Sequence, residues 1–404
     1  MNISLKGSQV MTKKIMANHL VILISAIFPF LAFWQMSLIN VLGHVLSSKL
    51  NSIEMSYLSA SYLYADGLFL IPVGLLLDRF SIKYIMILGI VIFSCGIMAF
   101  MLSNSFYEMC IARMIIGSGH AFALISCFKL VNLLIPDNRQ TSWIGIVLMI
   151  AFCGGMAAQM PSLLISNYLG WYGLMGVTLG ISILVGLCLL ISIPNKIVET
   201  KNLQTNKNIF KNILIVFLNH KNWLCALFIG AMDIMVMILG SVFGFKFLQY
   251  KGLSVHLASI ITSTIYIGSI VGSLILSHLF DRIKKKSNSI WLVSFIIFFL
   301  LFFAIHSESE QYWVYLFIFS LCGFLSSIRS IGYAKVAQLN SKNLVSTAMS
   351  VVNVVLMFSS AGLQIGFGYL YVNEGFRSFY LLIFLILVGG LVGALLCKLT
   401  NKNE

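Results

Sequence analysis

Long apolar runs broken by short polar connections fill this chain from end to end. An apolar run of about 20 residues, rising 1.5 Å per residue as a helix, crosses the hydrocarbon core of a bilayer. Twelve such runs occur, near residues 19–42, 54–77, 84–102, 106–129, 143–164, 173–193, 223–248, 256–280, 290–305, 312–333, 345–370 and 379–396. The run at 290–305 is short, so its ends are expected further out. The one long polar connection, 194–222, carries Lys196, Glu199, Lys201, Lys207 and Lys211. It divides the chain into a six-helix bundle at 1–194, a linker at 195–222 and a second six-helix bundle at 223–404. Within it, 208–218 mixes polar and apolar residues and predicts an amphipathic helix on the membrane surface.

The two halves repeat one charged loop. Gly74-Leu75-Leu76-Leu77-Asp78-Arg79-Phe80-Ser81-Ile82-Lys83 closes the second run, and Ser277-His278-Leu279-Phe280-Asp281-Arg282-Ile283-Lys284-Lys285-Lys286 closes the eighth. Asp78 and Asp281 are 203 residues apart, as are Lys83 and Lys286. A duplicated half with a charged hinge at a matching place predicts an all-α membrane protein that rocks two pseudo-symmetric bundles about a central site. Simple anchoring by basic residues does not explain an Asp beside each Arg. The loops therefore read as latches: Asp78, Arg79 and Lys83 in one half and Asp281, Arg282 and Lys286 in the other pair across the seam in one conformation and part in the other. Gly74 is expected to permit close helix approach.

Composition agrees. The chain is 59% hydrophobic and only 9% charged, against roughly 25% charged in soluble domains. The net charge of +14 does not indicate nucleic acid, because its distribution follows the membrane. Twenty of the 26 Lys and Arg fall in alternate loops and tails on one side; Lys49, Lys246, Lys251 and Arg377 fall on the other. That bias predicts cytoplasmic termini, and no aromatic-studded basic arm suggests a nucleic-acid groove. The eight cysteines form no CxxC pair, so neither a disulfide framework nor a zinc site is expected. The apolar run after Lys14 exceeds a signal-peptide core and reads as the first span. With no Walker loop, transport cannot be ATP-driven by this chain alone, and no cofactor is expected.

Further residues carry a family resemblance. Arg113-x-x-x-Gly117-x-Gly119 in the fourth run and Gly154-Gly155-Met156-Ala157-Ala158-Gln159-Met160-Pro161 in the fifth resemble motifs of the major facilitator superfamily. Gly170-Trp171-Tyr172 follows where many members carry Gly-Trp-Arg. Cys127-Phe128-Lys129-Leu130 with Pro136, Gln159-Met160-Pro161, and Thr347-Ala348-Met349 leading to Asn353 and Gln364 resemble a bacterial branch related to lysosomal dipeptide transporters and to phagosomal transporters of intracellular pathogens. Ser277, Ser81 and Tyr172 depart from the usual Gly, Gly and Arg. The resemblance implies a bacterial cytoplasmic-membrane transporter, working as a monomer, with runs 1, 4, 7 and 10 lining a central cavity.

Charges inside the runs are the candidate site, because a charge at mid-bilayer costs at least about 2.5–3.5 kcal/mol. Asp66 precedes Asp78 by 12 residues, roughly 18 Å along a helix. Asp233 lies a similar depth into the seventh run. Each carboxyl must pair, face the interior or hold a proton, so both are candidate proton carriers, with His120 as a relay. Structural pairing within the bundle is the alternative for each. Arg113 needs a carboxylate partner or an anionic solute, and Asp66 is one possible partner. Arg113, Asp233, Arg329, Lys129, Gln35 and Tyr64 are the candidate solute contacts. Arg329 is placed about five residues inside the tenth run, and Lys335, just past its end, is expected to snorkel to the interface.

Fixed cations outnumber acids along the expected cavity, which favours a small carboxylate-bearing solute: an amino acid, peptide, organic acid or siderophore, taken up with protons. Proton-antiport efflux remains a second reading, because the glycine-rich fifth run resembles a motif emphasised in antiporters. A nutrient sensor that binds without transporting is a third. An intramembrane aspartyl protease using Asp66 and Asp233 fits poorly: Tyr64-Ala65-Asp66 and Gly230-Ala231-Met232-Asp233 lack its sequence pattern, and proteolysis leaves the mirrored loops unexplained.

Overall fold

Apolar segments in lipid must satisfy their own backbone, which leaves helices as the local solution for these runs. In the computed structural model all assigned elements are helical. The structure describes residues 2–46, 50–193, 209–282, 286–307, 311–341 and 344–400. Span 1 is Asn2–Ser37 and, after a break at Leu38, Ile39–Val45. Spans 2, 3 and 4 are Ser52–Arg79, Ile82–Leu102 and Phe106–Leu134. Span 5 is Asp137–Ala157 and the first part of Met160–Ser192; Gly170, at φ +67°, breaks that second element, and span 6 is its remainder. Span 7 joins His220–Ile234, a π-helical segment Met235–Phe243 and Gly244–Tyr250. Spans 8 and 9 are Val255–Arg282 and Lys286–His306. Span 10 is Tyr312–Ser326 and Arg329–Leu339, and spans 11 and 12 are Val345–Glu374 and Phe379–Thr400.

Among the described residues, eleven helical stretches are long and apolar enough to cross a bilayer; the shorter apolar helix Ser142–Ala157 supplies the expected twelfth, with the break at Gly170 dividing Met160–Ser192 between spans 5 and 6. Span 9 extends beyond the short run at 290–305, as expected. Two capping boxes start spans 2 and 4 on the same face: Asn51 with Glu54, and Ser105 with Glu108. Linker residues 194–208 lie outside the described residues; beyond them the expected surface helix is present as Ile209–Leu218, with Leu214, Ile215 and Leu218 exposed.

Spans 1–6 pack on one another and spans 7–12 do likewise; across the seam, span 2 lies along span 11 and span 5 along span 8. Among the described residues, five hydrogen bonds cross this seam on the face opposite the linker, here the far face. Asn40 Nδ2 and Gln159 Nε2 donate to the carbonyl of Gly240 at 2.6 and 3.1 Å. Tyr266 donates to Ser37 Oγ at 2.7 Å, Lys246 to Ser52 Oγ at 2.8 Å, and the hydroxyls of Tyr57 and Tyr369 meet at 3.1 Å. On the linker face, Asn222 and Asn340 exchange amide hydrogen bonds of 3.2 and 2.8 Å, tying the start of span 7 to the end of span 10.

Two sequence expectations need correction. A Cβ on Gly74 would meet nothing within 4 Å, so this glycine makes no close helix approach. Tight approaches across the seam lie elsewhere: a Cβ on Gly155 of span 5 would overlap the ring of Tyr266, and one on Gly368 of span 11 would overlap Ser56. Span 10 runs on to Leu339, which places Arg329 ten residues from its end and at the start of the second segment. Lys335 therefore sits within the helix, only 4% exposed, and does not snorkel.

Candidate functional site

Span 10 breaks at Ser327 and Ile328, and the break delivers Arg329 to the seam. Its Nη1 stands 2.8 Å from Oδ1 of Asp233 on span 7, two residues before the π-helical segment begins. The pair is secluded, with side-chain exposures of 9% and 13%. The guanidinium also lies over the ring of Phe152 in span 5, 5.3 Å from its centroid, so the first half of the chain forms one wall. Tyr333, one turn further along span 10, donates to Asn353 of span 11 at 3.0 Å.

A second polar pair lies within the first half. Nδ1 of His120 on span 4 stands 3.2 Å from Oδ2 of Asp66 on span 2, and both residues are almost fully buried. Sequence reasoning named both residues but offered Arg113 as a partner for Asp66; the structure pairs Asp66 with His120. The imidazole meets Phe33 edge-on at 5.5 Å, and Phe33 meets Phe152 edge-on at 5.6 Å. A file of two rings thus connects the His120–Asp66 pair to Arg329 across the seam.

Arg113 occupies a different environment. It is 1% exposed and donates from Nη1 to the carbonyl of Gln35 at 2.8 Å and from Nε to that of Leu58 at 3.3 Å. Its guanidinium lies 4.5 Å from the centroid of the Tyr62 ring. Gln35 lies in the last turn before span 1 breaks, where carbonyls lack helical partners. Arg113 therefore caps that break and ties spans 1, 2 and 4 together. Among the described residues no carboxylate lies within ion-pair distance of it, and its Nη2 is buried without a hydrogen bond.

The remaining candidates disperse. Gln35 donates to Thr178 of span 6 at 2.9 Å, inside the first bundle. Tyr64 packs edge-on against Phe358 of span 11, with centroids 5.3 Å apart, at the span 2–span 11 seam. Lys129 donates to the carbonyl of Leu77, beside the first Asp-Arg loop. Arg79 is exposed at the end of span 2, and Lys83 is half-buried at the start of span 3. The side chains of Asp78, Asp281, Arg282 and Lys286 lie outside the described residues. Sequence reasoning missed Phe33 and Phe152, which nothing distinguishes among 31 phenylalanines. It also missed the seam contacts of Ser37, Lys246 and Tyr266; only Lys246 carried a signal, as a cation on the face poor in them. Among the described residues no cluster of His, Cys, Asp or Glu is suited to a metal ion.

Comparison with known proteins agrees with this architecture. A curated relative, an uncharacterized transporter of Buchnera aphidicola subsp. Schizaphis graminum (strain Sg), is 31% identical over 166 residues. That alignment covers 38% of this chain and spans 41% of the relative's length. Among solved structures, a bacterial homologue of the human lysosomal transporter Spinster, in an inward-facing and unoccupied conformation, superposes with a TM-score of 0.68 at 17% identity, covering 94% of each chain. A D-xylose-proton symporter superposes with a TM-score of 0.75 at 15% identity, over 95% of this chain and 98% of that one. A nucleoside transporter gives 0.74 at 14% identity, over 94% and 100%. At such identities these structures speak for the fold alone. The sequence profile of the Major Facilitator Superfamily matches residues 25–362 and 223–404, and the chain belongs to that family of membrane transporters.

Proposed function

We propose that this chain is a secondary transporter that carries a small carboxylate-bearing solute across the bacterial cytoplasmic membrane by alternating access, in symport with protons. The observation that carries this reading is the linked arrangement of an ion pair and a histidine–carboxyl pair. Asp233–Arg329 sits at the seam, and Asp66–His120 sits behind it, joined through Phe33 and Phe152. Arg329 offers a planar fork that suits a carboxylate, and Asp233 occupies that fork here. A solute carboxylate entering it displaces Asp233, which then needs a proton or the solute's own cationic group as a new partner. Asp66 and His120 can hold an exchangeable proton away from the solute, and the ring file lets its occupancy bear on Arg329. Arg113 acts in this scheme as a brace for spans 1, 2 and 4.

The basic bias assigns the linker face to the cytoplasm and the far face to the outside. The five seam bonds then support reading this arrangement as a state closed to the outside. The test is a thermal-shift screen of the purified protein against small carboxylic acids and their methyl esters, followed by uptake into proteoliposomes under a pH gradient. The acids should stabilise the fold by mass action while the esters do not. Equal stabilisation by esters would remove the carboxylate reading. Binding without uptake would point to a sensor instead. Antiport efflux is the second reading, favoured by the tight Gly155–Tyr266 contact in the glycine-rich segment of span 5. It predicts that an imposed gradient drives the solute in the direction opposite to the protons.

A further inference from the structure

On the far face, between the two halves, lies a cavity of about 510 Å³ bordered by Asn40 and His44 of span 1, Asn51 and Ser52 at the start of span 2, and Lys246 and Gln249 of span 7. Lys246 is the cation among these residues, together with a titratable imidazole. Its ammonium is half-buried, donates to Ser52 Oγ at 2.8 Å, and has no ion-pair partner among the described residues. Glu54, the acid next to this rim in sequence, is engaged locally, where its Oε2 accepts from the backbone N–H of Asn51 at 2.8 Å, and it forms no ion pair with Lys246. Asn40 spends its amide N–H groups on Gln159 and the Gly240 carbonyl, and its Oδ1 is buried without a partner. The cavity thus presents an unneutralised cation between two bodies that must separate during transport. Neither the Asp233–Arg329 pair nor the Asp66–His120 pair borders it.

We propose that this cavity is a first binding station for a small carboxylate, in which the ligand replaces Ser52 as the partner of Lys246 and so releases one of the hydrogen bonds that hold the halves together on the far face. The ligand class rests on the carboxylate reading above; the charge and location of the station do not. A fixed cation in a low-dielectric recess concentrates anions and speeds their arrival. A charge-assisted contact to a carboxylate is also stronger than the ammonium–hydroxyl bond it replaces. Loading the station therefore biases the seam toward opening on the side from which the ligand came.

The test uses the purified full-length protein carrying His44→Cys, which removes the imidazole and leaves Lys246 as the cation examined. The modification rate at residue 44 is read by mass, with an anionic and a cationic methanethiosulfonate of similar size. After correction for intrinsic reactivity, the anionic reagent should react about tenfold faster. Lys246→Gln should abolish that preference and Lys246→Arg should keep it, which separates loss of charge from loss of fold. Acetate should slow modification more than chloride at equal ionic strength, and methyl acetate should have no effect. Arg329→Gln should leave the preference intact, so failure of the central site and failure of the station give different patterns. Equal reagent rates, or a preference that survives Lys246→Gln, would overturn the station. Equal slowing by acetate and chloride would overturn its assignment to carboxylates.

Discussion

At the residue scale, the Asp233–Arg329 ion pair and the Asp66–His120 pair make different demands on mutation. Removing one partner of the Asp233–Arg329 pair leaves a buried charge uncompensated, a cost of about 3–5 kcal/mol. Asp233→Asn and Arg329→Gln should each lower the unfolding midpoint, and the double variant should recover much of the loss while remaining unable to bind the solute. Calorimetry with a binding assay checks this; binding by the double variant would exclude Arg329 as the reader. Asp66→Asn removes the titrating group from the first half without touching the seam. Exchange of solute at equal pH should persist while gradient-driven accumulation is lost, and full accumulation by that variant would exclude Asp66 as the proton carrier. Phe152→Leu keeps an apolar side chain but removes the ring face beneath Arg329. Accumulation should fall more than exchange, in measurements made side by side on proteoliposomes. Asp66, Asp233, Arg113 and Arg329 were legible because a charge in a bilayer is rare and must be accounted for. Which charge meets which was not legible: Arg113 satisfies carbonyls from spans 1 and 2, and Asp66 finds an imidazole on span 4.

At the scale of elements, runs of hydropathy located the spans but concealed their interruptions. Spans 1, 5, 7 and 10 all break or change pitch within apolar sequence, and span 10 continues past Tyr333, where its apolar run ends, through Lys335 to Leu339. The reason is physical: a kink is set by which carbonyls find side-chain donors, and those donors come from distant segments. Gly240, in the π-helical segment, accepts from Asn40 and Gln159, while Met237 accepts from Gln364 at 2.7 Å. The corrected roles of two glycines give a paired prediction. Gly74→Ala should fold and transport nearly as the parent does, because its Cβ enters open space. Gly155→Val should prop spans 5 and 8 apart at Tyr266 and cut transport sharply. Uptake and chromatographic profile of the two variants test this, and a severe Gly74→Ala defect would show that the motif glycine acts in a conformation other than this one.

At the scale of the whole molecule, the repeat and the basic bias were readable because they are written in spacing and charge, which survive without knowledge of contacts. They predict that a cysteine replacing Asn206 is labelled only from the cytoplasm and one replacing Asn104 only from outside; reversed labelling would invert every assignment of face. The far-face closure could not be read, because Ser37, Ser52 and Tyr266 are unremarkable residues until the halves meet. That closure has a quantitative corollary. A neutral hydrogen bond contributes about 1 kcal/mol net and one from an ammonium about 1.5–3 kcal/mol, so four neutral bonds and the Lys246–Ser52 bond give a bias of roughly 6 kcal/mol. Overturning a bias of about that size takes a ligand with roughly ten-thousandfold preference for the other state. A weakly bound metabolite cannot supply that preference in one step. It can do so if the catch gives way tooth by tooth, each lost bond multiplying the open population about fivefold. On the alternating-access reading proposed above, the seam is then a ratchet with graded release, not a single lock.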